Sequence, residues 1–203
     1  MDRNEPLVYV VDDDEAVRDS LTFLLKAVGL TGKAYGSAAE FLDNYDPEQH
    51  GCLIADIRMP GMSGLDLQAE LNERGAPIPL VFITGHGDVP MAVDAMKSGA
   101  LDFIEKPFRD QELLDRVHQA LTWDKERRTE NLQTLAIRER LATLTPRETE
   151  VMERVVQGQA NKVIAMDLGV SQRTVEIHRA RVMEKMAVRS VAKLVRAVEA
   201  AKS

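Results

Sequence analysis

Apolar and polar positions change period repeatedly along the first 121 residues. Leu7 to Val11 (LVYVV) is a short apolar run of β-formers, followed by Ala16, Val17, Leu21, Leu24, Leu25 and Val28 at helical spacing up to Gly29. The same change recurs. Gly32 to Tyr35 suits a second strand, and Ser37-x-x-Glu40 is a capping box opening a helix that carries Phe41 and Leu42. Cys52 to Ala55, Leu80 to Thr84 and Leu101 to Glu105 read as buried strands. Leu65 to Leu71, Val89 to Ser98 and, after Pro107, Gln111 to Leu121 read as helices. Five successive strand and helix pairs with short connections predict an α/β fold. Right-handed crossovers make it a doubly wound five-stranded parallel sheet with helices on both faces.

From Leu121 the chain becomes polar (LTWDKERRTENLQTLAIRERLATL), lacks glycine and proline and is rich in helix formers. It reads as a helical linker. Its Leu132, Leu135, Ile137 and Leu141 make only a broken stripe, which leaves a coiled coil and a solvated connector both open. Thr145-Pro146-x-Glu148 then starts a helix, with threonine as cap and proline in the first helical position. Gly158 stops it, Asn161 to Leu168 forms a short helix, and Gly169-Val170-Ser171 turns into a longer one, which is the helix-turn-helix layout. Burying Val175, Val182, Met183 and Met186 leaves Arg173, Glu176, Ile177, Ala180 and Arg181 on the opposite face. Three segments follow: a domain over 5–122, a linker over 123–141 and a small all-α domain over 142–203.

Composition sharpens this division. The net charge is −7, yet residues 143–203 hold 11 Lys/Arg against 7 Asp/Glu, so the last segment is net +4 and the first 142 residues are net −11. Opposite signs in one chain suggest different partners, with an anion such as nucleic acid for the basic part. One cysteine, Cys52, excludes an internal disulfide, and the start MDRNEPLVYVVDDDE shows no signal peptide. No stretch approaches the ~18 apolar residues of a membrane span. The expectation is a soluble cytoplasmic protein without a membrane partner.

Ligands of open parallel sheets bind at the carboxyl ends of the strands. There the sequence places Asp12, Asp13 and Asp14 after the first strand, Asp56 after the third, Thr84 at the end of the fourth and Lys106 after the fifth. Clustered carboxylates repel one another, and a hard cation relieves this. Mg2+ suits Asp13 and Asp56 as direct ligands, with Asp12 acting through water. A lysine and a threonine hydroxyl opposite them complete a site for phosphoryl transfer to a carboxylate, the aspartate acting as nucleophile. Singly, each residue also has a plain reading as a turn, cap or loop residue.

Taken together, VVDDDE, DIRMPGMSG, FITGHGD and DFIEKPF resemble the receiver domain of two-component response regulators, with CheY-like topology. The resemblance implies that Asp56 accepts a phosphoryl group from a sensor histidine kinase. It also implies that Asp12, Asp13, Asp56 and the Arg58 backbone carbonyl hold Mg2+, and that Thr84 and Phe103 form a switch pair. Lys106-Pro107 resembles the family's cis junction. Phe103 stands where many receivers carry tyrosine. Arg58 and His86 border the site. A dehalogenase-type phosphatase would want a second aspartate at position 58, where this chain has arginine, which argues against an enzyme.

The pattern GxxNKxIAxxLxxSxxTVxxH, running from Gly158 to His178, is similar to the LuxR/NarL-type output domain. The resemblance implies that the face of Arg173, Glu176, Ile177, Ala180 and Arg181 enters the major groove of promoter DNA, with Lys162, Thr174, His178, Arg179 and Lys185 near phosphates. Glu176 stands where many relatives carry a basic residue, which bears on base preference. Receiver plus this output domain is the FixJ/NarL class. It implies a homodimer on phosphorylation, with contacts at Val93, Lys97, Leu101 and Asp102, and RNA polymerase as a further partner. The rival expectation is a DNA-binding regulator independent of phosphorylation, its receiver a dimerisation or protein-binding scaffold.

Overall fold

Near-continuous apolar strands need cover on both faces, which is what parallel pairing with crossover helices provides. The computed structural model describes residues 5–76, 78–85 and 89–202 and divides into two units, residues 1–127 and 128–203. In the first unit β1 (Leu7–Val11), β2 (Thr31–Tyr35), β3 (Gly51–Asp56), β4 (Leu80–Thr84) and β5 (Asp102–Glu105) form one parallel sheet in the order β2-β1-β3-β4-β5. The helices are α1 (Glu15–Ala27), α2 (Ala38–Asn44), α3 (Gly64–Glu73), α4 (Val89–Lys97) and α5 (Asp110–Ala142). The direction of winding reverses between β1 and β3, and this opens a crevice over their carboxyl ends.

Alternate residues of β1 serve opposite faces. Leu7, Tyr9 and Val11 pack with Phe41 of α2, Leu67 of α3 and Ala92 of α4, whereas Val8 and Val10 pack with Leu21 and Leu25 of α1 and Leu113 and Val117 of α5. Full burial of a Val, Leu or Phe side chain is worth about 1.5–3 kcal/mol, so these two layers dominate the unit's stability. Every residue of β3 is buried, including Cys52, whose thiol is pushed up by burial and further by the Asp124 charge. Ser37 caps α2 by accepting from the Glu40 N–H. The expected box does not close on Ser37, because Glu40 Oε2 accepts instead from the Gly36 N–H at 2.9 Å.

The fifth helix departs from the expected end at Leu121. α5 is one helix of 33 residues, and the segment predicted as a separate linker is its continuation. No glycine or proline interrupts the run, so nothing in the sequence stops it. The broken apolar stripe also resolves: Leu132 and Leu135 are exposed, whereas Ile137 and Leu141 pack against the core of the second unit. The second unit adds α6 (Pro146–Val156), α7 (Asn161–Leu168), α8 (Gln172–Lys185) and α9 (Val191–Lys202). Its core joins Val151, Val155, Ile164, Val175, Val182, Met186, Leu194 and Val198. Gly169 ends α7 in the left-handed region, at φ 64°, which a glycine adopts without steric cost. The periodicity reading stopped short of α9, whose Leu194 and Val198 are buried.

Candidate functional site

Three consecutive aspartates leave β1 with three different surroundings. Asp12 is buried, Asp13 is exposed, and Asp14 caps α1 by accepting from the Ala16 N–H at 2.9 Å. Asp56, at the end of β3, is 8% exposed and shares the Lys106 ammonium with Asp12. Lys106 Nζ donates to Asp56 Oδ1 at 2.7 Å and to Asp12 Oδ2 at 3.0 Å. The remaining oxygens are held by backbone: Asp56 Oδ2 accepts from the Arg58 N–H at 2.8 Å, and Asp12 Oδ1 from the Asp14 N–H at 2.9 Å.

These partners set the ionisation. Burial pushes the Asp56 carboxyl above its ordinary value and outweighs the Lys106 hydrogen bond and charge and the Arg58 N–H. Burial works against the Lys106 ammonium, but hydrogen bonds and charge from Asp56 and Asp12 together raise it. Thr84 is buried at the end of β4, and its hydroxyl donates to the Gly85 carbonyl at 3.0 Å. Phe103 is half-buried and packs against the α2–α4 layer, on the strand beside Thr84. The Lys106-Pro107 peptide is cis. His86 lies outside the described residues.

Several contributors were not singled out from sequence. Arg18 of α1 donates to the Asp12 carbonyl at 2.7 Å and so fixes the turn that carries the aspartates. Gly64 lies against the back of the site, where a Cβ would stand 2.3 Å from the Asp56 carbonyl oxygen. Its only sequence signal is a glycine at the start of a helix.

In the second unit α8 exposes Arg173, Glu176, Ile177, Ala180 and Arg181, while Val175 and Val182 are buried beneath. Lys162 is exposed near the start of α7. Thr174, His178 and Arg179 are half-buried flanking residues. The Arg179 guanidinium donates to Asn161 Oδ1 at 2.7 Å, which ties α8 to the start of α7. Lys185, expected near phosphates, is engaged elsewhere. Its ammonium donates to Glu148 Oε2 at 2.6 Å and to the Thr143 carbonyl at 2.9 Å, so it braces α6 rather than standing free for an anion.

Comparison with known proteins gives both units a family. Residues 8–118 match the response regulator receiver domain, and residues 142–198 match the LuxR family of bacterial regulatory proteins. The chain is a response regulator with a LuxR-type output domain. It is 49% identical to Nodulation protein W of Bradyrhizobium diazoefficiens over 95% of this chain and 85% of that one. It is 50% identical to the transcriptional regulatory protein FixJ of Azorhizobium caulinodans, over 93% and 90%. The solved structure of response regulator StyR superposes with a TM-score of 0.85 at 46% identity, over 96% of this chain and 98% of that one. Full-length FixJ from B. japonicum gives 0.60 at 41%, over 98% of each.

This response regulator is thus a phosphorylation-regulated DNA-binding transcription factor, not an enzyme. Among the described residues, no group of three or more His, Cys, Asp or Glu converges as a metal cage, and no helix is long and apolar enough to cross a membrane. Along α4 and into β5, Val93 and Lys97 are exposed, as is Met96, which sequence did not single out. Leu101 packs partly into the α1/α5 layer, and Asp102 pairs with Arg116 at 2.9 Å.

Proposed function

We propose that Asp56 is the phosphoacceptor of this response regulator, a reading that rests above all on the Lys106 ammonium bridging Asp56 and Asp12 in the crevice. An Asp56 carboxylate oxygen forms the new O–P bond as the P–N bond of a kinase phosphohistidine breaks, and the imidazole nitrogen keeps the bonding pair. Lys106 then balances charge on the phosphoryl oxygens. The donor set suits a hard divalent cation, because Asp12, Asp13, Asp56 and the Arg58 carbonyl offer only oxygen. Mg2+, if held by them, would further neutralise phosphoryl charge. Thr84 turns from Gly85 towards a phosphoryl oxygen, and Phe103 takes up the space it leaves.

The α4 face, with Val93 and Lys97 at its centre and Leu101 and Asp102 at its margin, then pairs two phosphorylated copies. Two linked output domains gain affinity for a two-half-site operator through effective concentration. Arg173, Glu176, Ile177, Ala180 and Arg181 read the major groove while Lys162, Thr174, His178 and Arg179 lie near phosphates, and the bound dimer engages RNA polymerase. The test is the intact mass of wild type and Asp56→Asn after incubation with Mg2+ and a small-molecule phosphodonor. A single phosphoryl adduct on wild type alone is expected. Its absence from both, with a histidine kinase donor also failing, would favour the phosphorylation-independent regulator.

A further inference from the structure

The apolar stripe that α5 turns towards the sheet runs through Leu113, Leu114, Val117, Ala120 and Leu121, and its next member at helical spacing is Asp124. A carboxylate in a core-facing position is costly unless donors surround it. Asp124 is 1% exposed and has them. Its Oδ2 accepts from the Gly51 N–H at 3.0 Å and pairs with His50 Nδ1 at 2.7 Å, while Oδ1 accepts from Arg127 at 2.9 Å. The Arg127 guanidinium also lies over the Trp123 ring, 5.4 Å from its centroid. This cluster sits at the start of β3, the opposite end from Asp56, and none of its members belongs to the phosphoacceptor crevice or the DNA face.

We propose that Asp124 is a positioning residue, a register pin for the helix that joins the two functions of the chain. Apolar packing is non-directional and tolerates a helix that slides or turns. A buried carboxylate bonded to a backbone N–H of the sheet has one satisfied arrangement. In coiled coils a lone buried polar residue fixes register at some cost in stability by the same physics. Beyond Leu121, among the described residues, Asp124 is the only buried side chain that α5 contributes to the first unit. Its bonds therefore set the rotation and axial position of α5 at its last turn there. The same uninterrupted helix carries Ile137 and Leu141 into the second core.

The functional consequence rests on the phosphorylation-dependent DNA binding proposed above, so the test keeps the two apart. Full-length wild type, Asp124→Leu and Asp124→Asn are compared by three readouts. These are phosphoryl adduct by intact mass, operator affinity with and without phosphodonor, and the distance distribution between spin labels at Glu73→Cys and Glu130→Cys, with buried Cys52 left unlabelled. Leucine should leave adduct formation intact, widen the distance distribution and cut the phosphorylation-driven gain in operator affinity at least ~5-fold, the lower end of ordinary coupling. Asparagine, whose oxygen still accepts from the Gly51 N–H but whose amide nitrogen cannot accept from Arg127, should keep the adduct and fall between wild type and leucine in the other two readouts. An unchanged distribution and gain with leucine would overturn the pin. So would loss of the adduct, which would make Asp124 ordinary receiver core. If wild type itself shows no gain on phosphorylation, the functional reading fails, while the label distances still decide the pin.

Discussion

Glu148 does two jobs with one carboxyl group. It closes the capping box at the start of α6 by accepting from the Thr145 N–H at 2.9 Å, and it accepts from Lys185 at the last turn of α8. The Lys185 hydrogen bond first, and then the Thr145 N–H, pull its pKa from 4.5 down to about 2. A depressed carboxyl stabilises the fold fully above its unfolded value and loses that contribution as pH falls through its folded value. The DNA-binding unit of wild type should therefore lose stability between pH 4.5 and about 2. Glu148→Gln should show a shallower fall in the same window, measured by thermal melting followed by circular dichroism. Asp56 has the opposite sign: its raised carboxyl favours the folded state most below its ordinary value of 3.8, and that advantage is lost as pH rises through the folded value. At this scale sequence gave residue types but not pairings. Lys185 looked like a free cation because its partner lies 37 positions away, whereas Asp12, Asp56 and Lys106 could be grouped because strand ends converge whatever the details of packing.

Helix α8 ends where an alanine does work suited to glycine. Ala187 follows its last turn with φ 52°, the one positive-φ residue that is not glycine among the described residues, and a left-handed L-residue costs about 1–2 kcal/mol. Ala187→Gly should thus raise the stability of the DNA-binding unit by about 1 kcal/mol, net of the greater unfolded-state entropy of glycine, as read by denaturant unfolding. Elements bounded by strong stops were legible. Asn161 to Leu168, set between the turn after Gly158 and Gly169, was located to the residue. α5 was not, because burial gives way to exposure near Leu121 without any stop in the backbone, and hydrophobic period records burial rather than helicity. α9 was missed for a related reason: its buried residues Leu194 and Val198 give only a sparse stripe in a short segment.

Across the whole molecule, the charge split suggested an acidic part and a basic part, and only the motifs made them receiver and output unit, whereas the proposed pairing of copies uses a surface that charge does not mark. Val93 is 44% exposed on α4, with Met96 exposed beside it. Val93→Asp should leave the phosphoryl adduct intact but keep the phosphorylated protein monomeric in size-exclusion chromatography. It should also remove most of the affinity that dimerisation adds on a two-half-site operator, a gain of about 100-fold or more for linked modules. Cys52 carries a further consequence. It is the single thiol of the chain, enclosed in β3 between Gly51 and the strand that ends at Asp56, and burial suppresses its thiolate. A thiol reagent can reach it only when the sheet opens, so its labelling rate clocks the opening of the receiver in the unmodified protein, and any ligand that grips the native sheet should slow that clock.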